Sequence, residues 1–308
     1  MKITDYVVCP ECKKELENIE NNLKCNKCNY KFEIINDIPI LLKKNNLNSF
    51  KLGESDFHDK IALEADDAHS LDSLRVKYLH ADFLKPIKGM KSPKILDACC
   101  GSGLDILNLS KEGYEIFGVD ISLEMVKLTS KRLKLNGMNS LVAVSDVENL
   151  PFDSEFFDII YICGALHHTT PLKTLNEFKR CLKKDGLIII GSEPNSWQYK
   201  FKGIKKSKIG KRIIQIFRDD YTVNENSPGD HKTHGFSKKY LTELFNEVEM
   251  EIFSIKPIWF LNGFLSLLKI NPPQKIEELV IILDDFIAKV PLVNRYSWKW
   301  NITLKKRL

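Results

Sequence analysis

The chain has 308 residues, of which 43% are hydrophobic and 28% are charged, and its formal net charge is +5. These values are ordinary for globular proteins and exclude a wholly disordered chain, and the length suffices for one large domain or a main domain with smaller modules. The mild positive charge is only weak evidence for an acidic partner. The sequence does not open with a basic region and a long apolar stretch, and no run reaches the roughly 18 apolar residues of a spanning helix. We therefore expect a cytoplasmic protein without a transmembrane segment.

The first predicted element is a zinc ribbon over residues 1–45. Two CxxC pairs lie near the start, and a tight turn within each pair brings two thiolates together. Tetrahedral zinc takes four such ligands, and a site of four sulfurs leaves no coordination position open, so we predict a structural metal. The alternative is disulfides or free thiols. Residues 30–42 alternate in polarity, which predicts a strand of the ribbon. The predicted zinc ligands are Cys9, Cys12, Cys25 and Cys28, and the remaining cysteines, Cys99, Cys100, Cys163 and Cys181, are interpreted as small core residues.

A linker is predicted next, over residues 46–60. This stretch belongs to a segment rich in lysine, asparagine and serine, with little periodicity. Helical spacing of apolar residues returns from about 61 to 90 and ends near Pro86 and Gly89. The main domain is therefore predicted to span 61–308.

From Lys94 onward, short apolar runs alternate with amphipathic segments, which is typical of βαβ units around a parallel sheet. Ligands of such sheets lie beyond the carboxyl ends of the strands. The predicted strands are 94–99, 115–120, 141–146, 157–163 and 187–193, and the predicted helices are 104–113, the segment from Ser122 to Gly137, and the segment from about Leu172 to Lys184.

Acidic residues and glycines occupy the ends of the first three strands. Asp97 precedes the turn that contains Gly101 and Gly103, and Asp120 and Asp146 end the next two strands. Glycine lets the backbone turn sharply and approach a ligand closely. The turn lacks the third glycine of a dinucleotide-binding motif and the Lys-Ser/Thr ending of a P-loop. Carboxylates suit an amine, a ribose diol and an adenine amino group better than a phosphate.

With these motifs in order, residues 94–193 resemble a class I S-adenosylmethionine-dependent methyltransferase of the type 11-like group. LDACCGSG is similar to the family's glycine-rich first motif, and VDIS is similar to its second. The chain departs from the usual pattern at Cys99, where the family has a glycine. The resemblance implies a doubly wound, seven-stranded, mainly parallel α/β sheet of the Rossmann-like kind. The four-cysteine ribbon resembles a module of several methyltransferases, including ones that act on ribosomal RNA.

The resemblance also implies a cofactor site for S-adenosylmethionine. It puts Asp97 and Gly101 beside the methionine part, Asp120 beside the ribose, and Asp146 with Val147 beside the adenine. His168, with His167, is a candidate general base for an oxygen or nitrogen nucleophile, since histidine titrates near neutrality; the alternative role is packing or positioning in the cofactor pocket. The full predicted cofactor-binding set is Asp97, Cys99, Gly101, Gly103, Asp120, Ile121, Asp146, Val147 and Cys163.

Two insertions after the fifth strand are predicted to form a substrate cap, at about 195–236 and 258–297. The first contains a basic amphipathic stretch, 200–218, which suits phosphates, anionic lipid or an acidic small molecule, unless it is simply a solvated helix face. The second is predicted to hold apolar helices at 258–270 and 276–293. Four alternative roles remain open for these helices: lining a substrate pocket, contacting another subunit, contacting a membrane surface, or packing on the sheet. The candidate substrate residues are Glu193, Tyr221, His231 and His234.

A helix at 237–248 and two antiparallel strands, 250–257 and 300–306, are predicted to complete the domain. The function that these features favour is methyl transfer to a small-molecule or biosynthetic-intermediate nucleophile (O, N or C), with zinc in a structural role. One alternative is methylation of RNA bases, supported by the ribbon and by the basic stretch. Another is a binding or scaffold protein without activity, which the acidic series disfavours.

Overall fold

The apolar runs pair into one eleven-stranded sheet in the computed structural model, which describes residues 2–64, 74–201, 227–229, 234–267, 270 and 272–307. In chain order, the strands are β1 (Leu16–Ile19), β2 (Asn22–Cys25), β3 (Tyr30–Ile35), β4 (Ile38–Leu41), β5 (Lys94–Ala98), β6 (Glu115–Asp120), β7 (Leu141–Ser145), β8 (Phe157–Cys163), β9 (Leu182–Pro194), β10 (Met250–Ile258) and β11 (Lys299–Lys306). The helices are α1 (Ser49–Glu64), α2 (Leu74–Phe83), α3 (Leu104–Lys111), α4 (Leu123–Leu135), α5 (Pro171–Cys181), α6 (Lys238–Glu247), α7 (Leu261–Leu267) and α8 (Gln274–Ala288).

The strand order across the sheet is β1-β2-β3-β4-β7-β6-β5-β8-β9-β11-β10. The six strands in the order β4-β7-β6-β5-β8-β9 are parallel to one another. Strand β11 is antiparallel to both β9 and β10, and the sequence predicts this antiparallel pairing for β10 and β11. The prediction of a seven-stranded sheet is wrong in extent. The seven strands β7-β6-β5-β8-β9-β11-β10 lie next to one another in the sheet, as predicted for the main domain. Strand β4 pairs in parallel with β7, at Ile40–Val144 and Leu41–Ser145, and so adds the four ribbon strands to the same sheet.

The central strands are buried on both faces because helices and loops cover them. In β8 the run Ile159–Ile162 is fully inaccessible to solvent, which explains why it is a continuous hydrophobic run rather than an alternating one. The helix that follows β6 begins at a predicted signal, since the Ser122 side chain accepts a hydrogen bond from the Met125 amide. Because β5 to β8 run parallel to one another, their carboxyl ends lie at one side of the sheet.

Two sequence-based boundaries are corrected. The segment interpreted as a linker contains most of α1, a helix of 16 residues, so it is regular structure. The helix predicted to end near Lys184 ends at Cys181, and β9 begins at Leu182, because Leu182 already pairs with Phe157 of β8.

The ribbon is attached to the main domain by side-chain contacts as well as by β4. The Lys13 ammonium donates to the Asn149 side chain, the Leu150 carbonyl and the Glu177 carboxylate at 2.8–2.9 Å. Glu177 also receives hydrogen bonds from Arg180, at 2.7 and 2.8 Å. Burial would raise the pKa of Glu177, but Arg180 and Lys13 hold it below its usual value.

Glu177→Gln should therefore lower the free energy of unfolding at neutral pH by about 1.5–3 kcal/mol, the range for hydrogen bonds to charged groups. A carboxylate whose pKa is depressed on folding stabilises the fold above its unfolded pKa, near 4.5, and this stabilisation is lost as the pH falls further. Urea unfolding at several pH values should show a difference between variant and wild type that is constant near neutrality and shrinks below about pH 4.5. A difference that grows with acid would contradict this.

The second insertion forms α7 and α8, which pack against each other, and α8 also contacts α2 and β10. Ile281 of α8 is buried, whereas Ile282 and Phe286 are 64% and 67% exposed, so only part of the helix packs on the domain. No helix in the described ranges has the length and apolarity needed to cross a membrane.

Candidate functional site

A cavity of about 180 Å³ lies at the carboxyl ends of β5 to β8, where the sequence predicts a ligand site. The turn after β5, the ends of β6 and β7, the segment after β8 and one face of α1 surround it. Its lining residues are Lys51, Glu54, His58, Cys99, Gly101, Asp120, Ile121, Ser145, Asp146, Val147, Glu148, Cys163, Gly164, Ala165, His168 and Thr169.

The glycine turn after β5 has left-handed backbone at three positions, with φ of 66° at Cys99, 49° at Gly101 and 74° at Gly103. A Cβ at Gly103 would lie 2.4 Å from Thr129 of α4, so glycine is required there for packing. A Cβ at Gly101 would meet no atom within 4 Å, which leaves the cavity side of the turn open to a ligand. Cys99, where the chain departs from the family pattern, is thus a non-glycine residue in a conformation that favours glycine.

Asp120 forms part of the cavity wall and fixes the glycine turn. Its carboxylate accepts hydrogen bonds from the Gly101 and Ser122 amides, both at 2.9 Å. Burial raises the pKa of Asp120, and the Ser122 and Gly101 amides oppose this rise. The carboxylate therefore lies at a defined position with acceptor capacity remaining for a ligand.

Asp97 does not line the cavity, although it was predicted beside the ligand. It is buried, and desolvation together with the Asp105 carboxylate raises its pKa well above the usual value. Gly103 is likewise absent from the lining because it packs against α4.

The end of β7 offers a polar group that has no partner within the protein. Ser145 lines the cavity, and its buried hydroxyl makes no hydrogen bond within the described part of the chain. A buried hydroxyl without a partner is unfavourable unless a ligand or a solvent molecule completes its bonding. Asp146 and Val147 follow directly and also line the cavity, so the structure brings together the residues that were predicted to contact adenine.

Helix α1 supplies three lining residues that sequence reasoning missed: Lys51, Glu54 and His58. The Lys51 ammonium contacts Asp146 at 2.6 Å and Glu148 at 2.8 Å, so the helix is anchored to the loop after β7. The available signal was the spacing of Phe50 and Phe57, seven residues apart as on one face of a helix, but the polar composition masked it.

In the turn after β8, the side chains of the two adjacent histidines have different partners. His168 lines the cavity, whereas the His167 ring lies 2.9 Å from the Glu193 carboxylate. Glu193 also accepts a hydrogen bond from the Leu166 amide at 2.8 Å and is fully buried, so it holds the turn from inside rather than lining the cavity. Cys163 does line the cavity, and burial raises the pKa of its thiol well above the usual value, which keeps it neutral.

Of the other candidate substrate residues, His234 is exposed and does not line the cavity. Tyr221, His231 and positions 202–218 of the basic stretch lie outside the described residues. The second insertion, 258–297, contributes none of the lining residues.

The four ribbon cysteines converge on one point. Their sulfur atoms all lie within 4.8 Å of one another, and none forms a disulfide. The Cys12–Cys25 and Cys9–Cys28 sulfur pairs are 3.5 Å and 4.0 Å apart. A tetrahedral zinc site with Zn–S bonds of about 2.3 Å requires sulfur separations of about 3.8 Å, so the donor set has the right size for this ion.

Comparisons with known proteins agree with this geometry. A family model for the methyltransferase domain matches residues 96–190. An uncharacterized protein from Methanocaldococcus jannaschii is 35% identical over 45% of this chain, and the chain spans about half, 51%, of that relative. A demethylmenaquinone methyltransferase from Staphylococcus saprophyticus is 31% identical over 53% of this chain and 72% of that protein.

The solved structure of Haemonchus contortus phosphoethanolamine N-methyltransferase 2 in complex with S-adenosyl-L-methionine has a TM-score of 0.54 at 16% identity. The alignment covers 87% of this chain and 61% of that chain, which shows a shared Rossmann-like fold. The family model, the coverage of the staphylococcal relative and the common fold lead to one conclusion: this chain belongs to the class I S-adenosylmethionine-dependent methyltransferases.

Proposed function

We propose that this protein transfers the methyl group of S-adenosylmethionine to a small molecule that is apolar in part. The observation that carries the proposal is the cavity at the ends of β6 and β7, where Asp120, Asp146 and the unsatisfied Ser145 hydroxyl lie together. Carboxylates and a hydroxyl match the ribose diol and the adenine amino group of the cofactor. Four of the lining side chains are acidic, which disfavours a pyrophosphate ligand.

The residues would act mainly by binding and orientation. The open side of Gly101 and the neighbouring Cys99 would hold the methionine part, Asp120 the ribose, and Asp146 with Val147 the adenine. When bound, the cofactor supplies a methyl group on a positively charged sulfur. His168 would lie near the acceptor, and alignment of the reacting atoms can supply much of the rate enhancement.

The acceptor class is supported by the staphylococcal relative, whose name gives demethylmenaquinone as its substrate. An acceptor with an aromatic ring and a hydroxyl group also suits the part of the lining after β8, where the apolar Ala165 lies close in sequence to His168. We include a cytoplasmic location in the proposal, because the cysteine cluster requires reduced thiols to bind metal.

We further propose that Cys9, Cys12, Cys25 and Cys28 bind one zinc ion in a structural role. Support comes from the separations between the four sulfur atoms and from the burial of Cys9 and Cys25. Without a metal ion, these two buried thiols would have no role in the ribbon core. With four thiolates the ion would have no open position, so it would stabilise the fold and take no part in methyl transfer.

Methyl transfer can be tested with tritiated S-adenosylmethionine and separate acceptors: hydroxylated quinols, simple phenols and bulk RNA. We expect label in the quinol or phenol products and none in RNA. Label in RNA alone would replace the small-molecule proposal by RNA methylation. Failure of the wild-type protein to bind the cofactor in calorimetry would reject the catalytic proposal and favour a scaffold role.

A further inference from the structure

The carboxylate of Glu54 is an unusual feature of the cavity because it is buried and belongs to α1, outside the methyltransferase motifs. Only 4% of the residue is exposed. Its Oε2 lies 2.9 Å from His168 Nδ1 and 3.6 Å from His58 Nε2, and its Oε1 accepts a hydrogen bond from the Gly229 amide. Burial would raise the pKa of Glu54, but His168, His58 and the Gly229 amide hold it far below the usual range.

Attachment of α1 to the domain does not require this buried charge. Lys51 binds Asp146 and Glu148, and the Asp59 carboxylate accepts hydrogen bonds from the Ser122 hydroxyl at 2.5 Å and the Glu124 amide at 3.0 Å. Burying a carboxylate is costly unless a charged or polar partner compensates it. The contact of Glu54 with a cavity histidine therefore indicates a role at the site.

Two oxygen atoms surround Nδ1 of His168. The Ser227 hydroxyl lies at 3.0 Å with hydrogen-bond geometry, and Glu54 Oε2 lies at 2.9 Å as an ion-pair contact that does not have hydrogen-bond geometry. An ionised carboxylate cannot donate a proton, so the arrangement is favourable only when Nδ1 carries the hydrogen. The other ring nitrogen, Nε2, forms no hydrogen bond within the described part of the chain and is left with its lone pair.

The segment 227–229 packs closely against the same ring. A Cβ at Gly229 would lie 2.2 Å from His168 Nδ1, so only glycine allows this backbone to approach the imidazole. The ring is also in contact with His167, with ring centroids 4.0 Å apart. His168 is thus held from three sides, and its orientation is fixed.

We propose that Glu54 is a positioning residue that holds His168 as the proton acceptor for a nucleophile bearing an O–H group. The inference rests on the proposed methyl transfer and adds to it the class of acceptor. In the step, the sulfur–methyl bond breaks with its electron pair kept by sulfur, and an oxygen–carbon bond forms. The proton of the hydroxyl passes to Nε2 of His168, and the negative charge of Glu54 stabilises the imidazolium.

The direct test is the tautomer of His168, read from the ¹⁵N shifts of its ring nitrogens in full-length, histidine-labelled protein, with His168→Gln used for assignment. We expect the hydrogen on Nδ1 in the wild type and a shift of the population toward Nε2–H in Glu54→Gln. Glu148→Gln is the matched control, because it removes a cavity carboxylate that contacts Lys51, and it should leave the tautomer unchanged. An unchanged tautomer in Glu54→Gln would overturn the proposal.

Kinetics with a phenolic acceptor give the second readout. Glu54→Gln should lower kcat by about 10-fold or more, which is part of the roughly 10²–10⁴-fold that a proton-transfer group contributes, while the KM for the cofactor changes little. In a His168→Gln background, the same substitution should cause no further loss of kcat, and Glu54→Asp should recover part of the activity. Equal losses in both backgrounds would contradict a role through His168.

The two readouts separate this inference from the proposed function. If no acceptor is methylated but the tautomer changes in Glu54→Gln, methyl transfer to phenols is wrong, and with it the base role proposed here. If methylation proceeds and the tautomer is independent of Glu54, only the positioning role is wrong. If Glu54→Gln does not fold, the comparison of Glu54→Asp with wild type decides the tautomer and the kcat.

Discussion

Replacing Cys9 and Cys25 together with serine should release the ribbon's metal and unfold the ribbon. Wild-type protein is expected to contain about one zinc per chain, and the variant almost none, because serine is a poor zinc ligand at neutral pH. Structural zinc contributes roughly 10–16 kcal/mol of apparent binding free energy in small zinc domains, so its loss should exceed the stability of the ribbon alone. Plasma emission spectrometry gives the metal content, and thermal melts should show a fall of at least about 5 °C.

Cys181→Ser is the control for this experiment. Cys181 is a buried thiol that is not part of the cluster, and its sulfur lies 3.8 Å from the Phe152 carbonyl. This variant should keep its zinc, even if its melting temperature falls. Full retention of metal in the double variant would remove the zinc proposal and leave the cluster as four thiols.

Asp120→Ala should abolish measurable binding of S-adenosylmethionine. In the proposed complex the carboxylate accepts hydrogen bonds from both ribose hydroxyls, and each bond to a charged group contributes about 1.5–3 kcal/mol. The expected loss is at least about 100-fold in Kd, measured by titration calorimetry. The substitution also removes the acceptor for the Gly101 and Ser122 amides, so part of the loss would come from disorder of the glycine turn.

Asp120→Asn separates these two effects. The amide keeps an acceptor oxygen and the size of the side chain but loses the charge, so it should bind the cofactor more tightly than the alanine variant and more weakly than wild type. Asp37→Ala, at a ribbon carboxylate that is 85% exposed, is the surface control and should not change Kd. Wild-type affinity in Asp120→Ala would show that the ribose is bound elsewhere.

The repeating core of the fold could be predicted from sequence, because its signals are local. The strands from β5 to β8 begin and end within one residue of their predicted positions, since each is an apolar run bounded by a polar or glycine-containing turn. The cap of α4 at Ser122 was equally readable, because a serine before an amphipathic segment satisfies the first free amides of a helix.

The ends of β9 and the character of α1 depend on distant partners and were missed. Residues 183–186 are polar and look like a helix end, but they lie within β9, between Leu182 and Leu187, which pair with Phe157 and Ile159 of β8. Helix α1 is polar because one face lies over the cavity, and its partner Asp146 is 95 positions away in the chain. Nothing local marks such a pair, so the spacing of Phe50 and Phe57 could at most have indicated a helix, and the place of Lys51 and Glu54 at the cavity could be found only from the folded chain.

The predicted site residues also fall into two groups, those that line the cavity and those that do not. Cys99, Gly101, Asp120, Ile121, Asp146, Val147, Cys163 and His168 line the cavity as their positions at strand ends indicate. Asp97 and Glu193 are also at strand ends, but both side chains are buried in the protein. The direction of a side chain at a strand end is set by packing, so the sequence motif does not predict it.

The parallel pairing of β4 with β7 has a consequence for any shortened form of this protein. Without residues 38–41, the free rim of β7 would present unpaired amide and carbonyl groups alongside wholly buried side chains. Such a rim is a template for adding strands from other molecules. Removal of residues 1–41 should therefore promote aggregation, which means that the ribbon shields the edge of the main sheet.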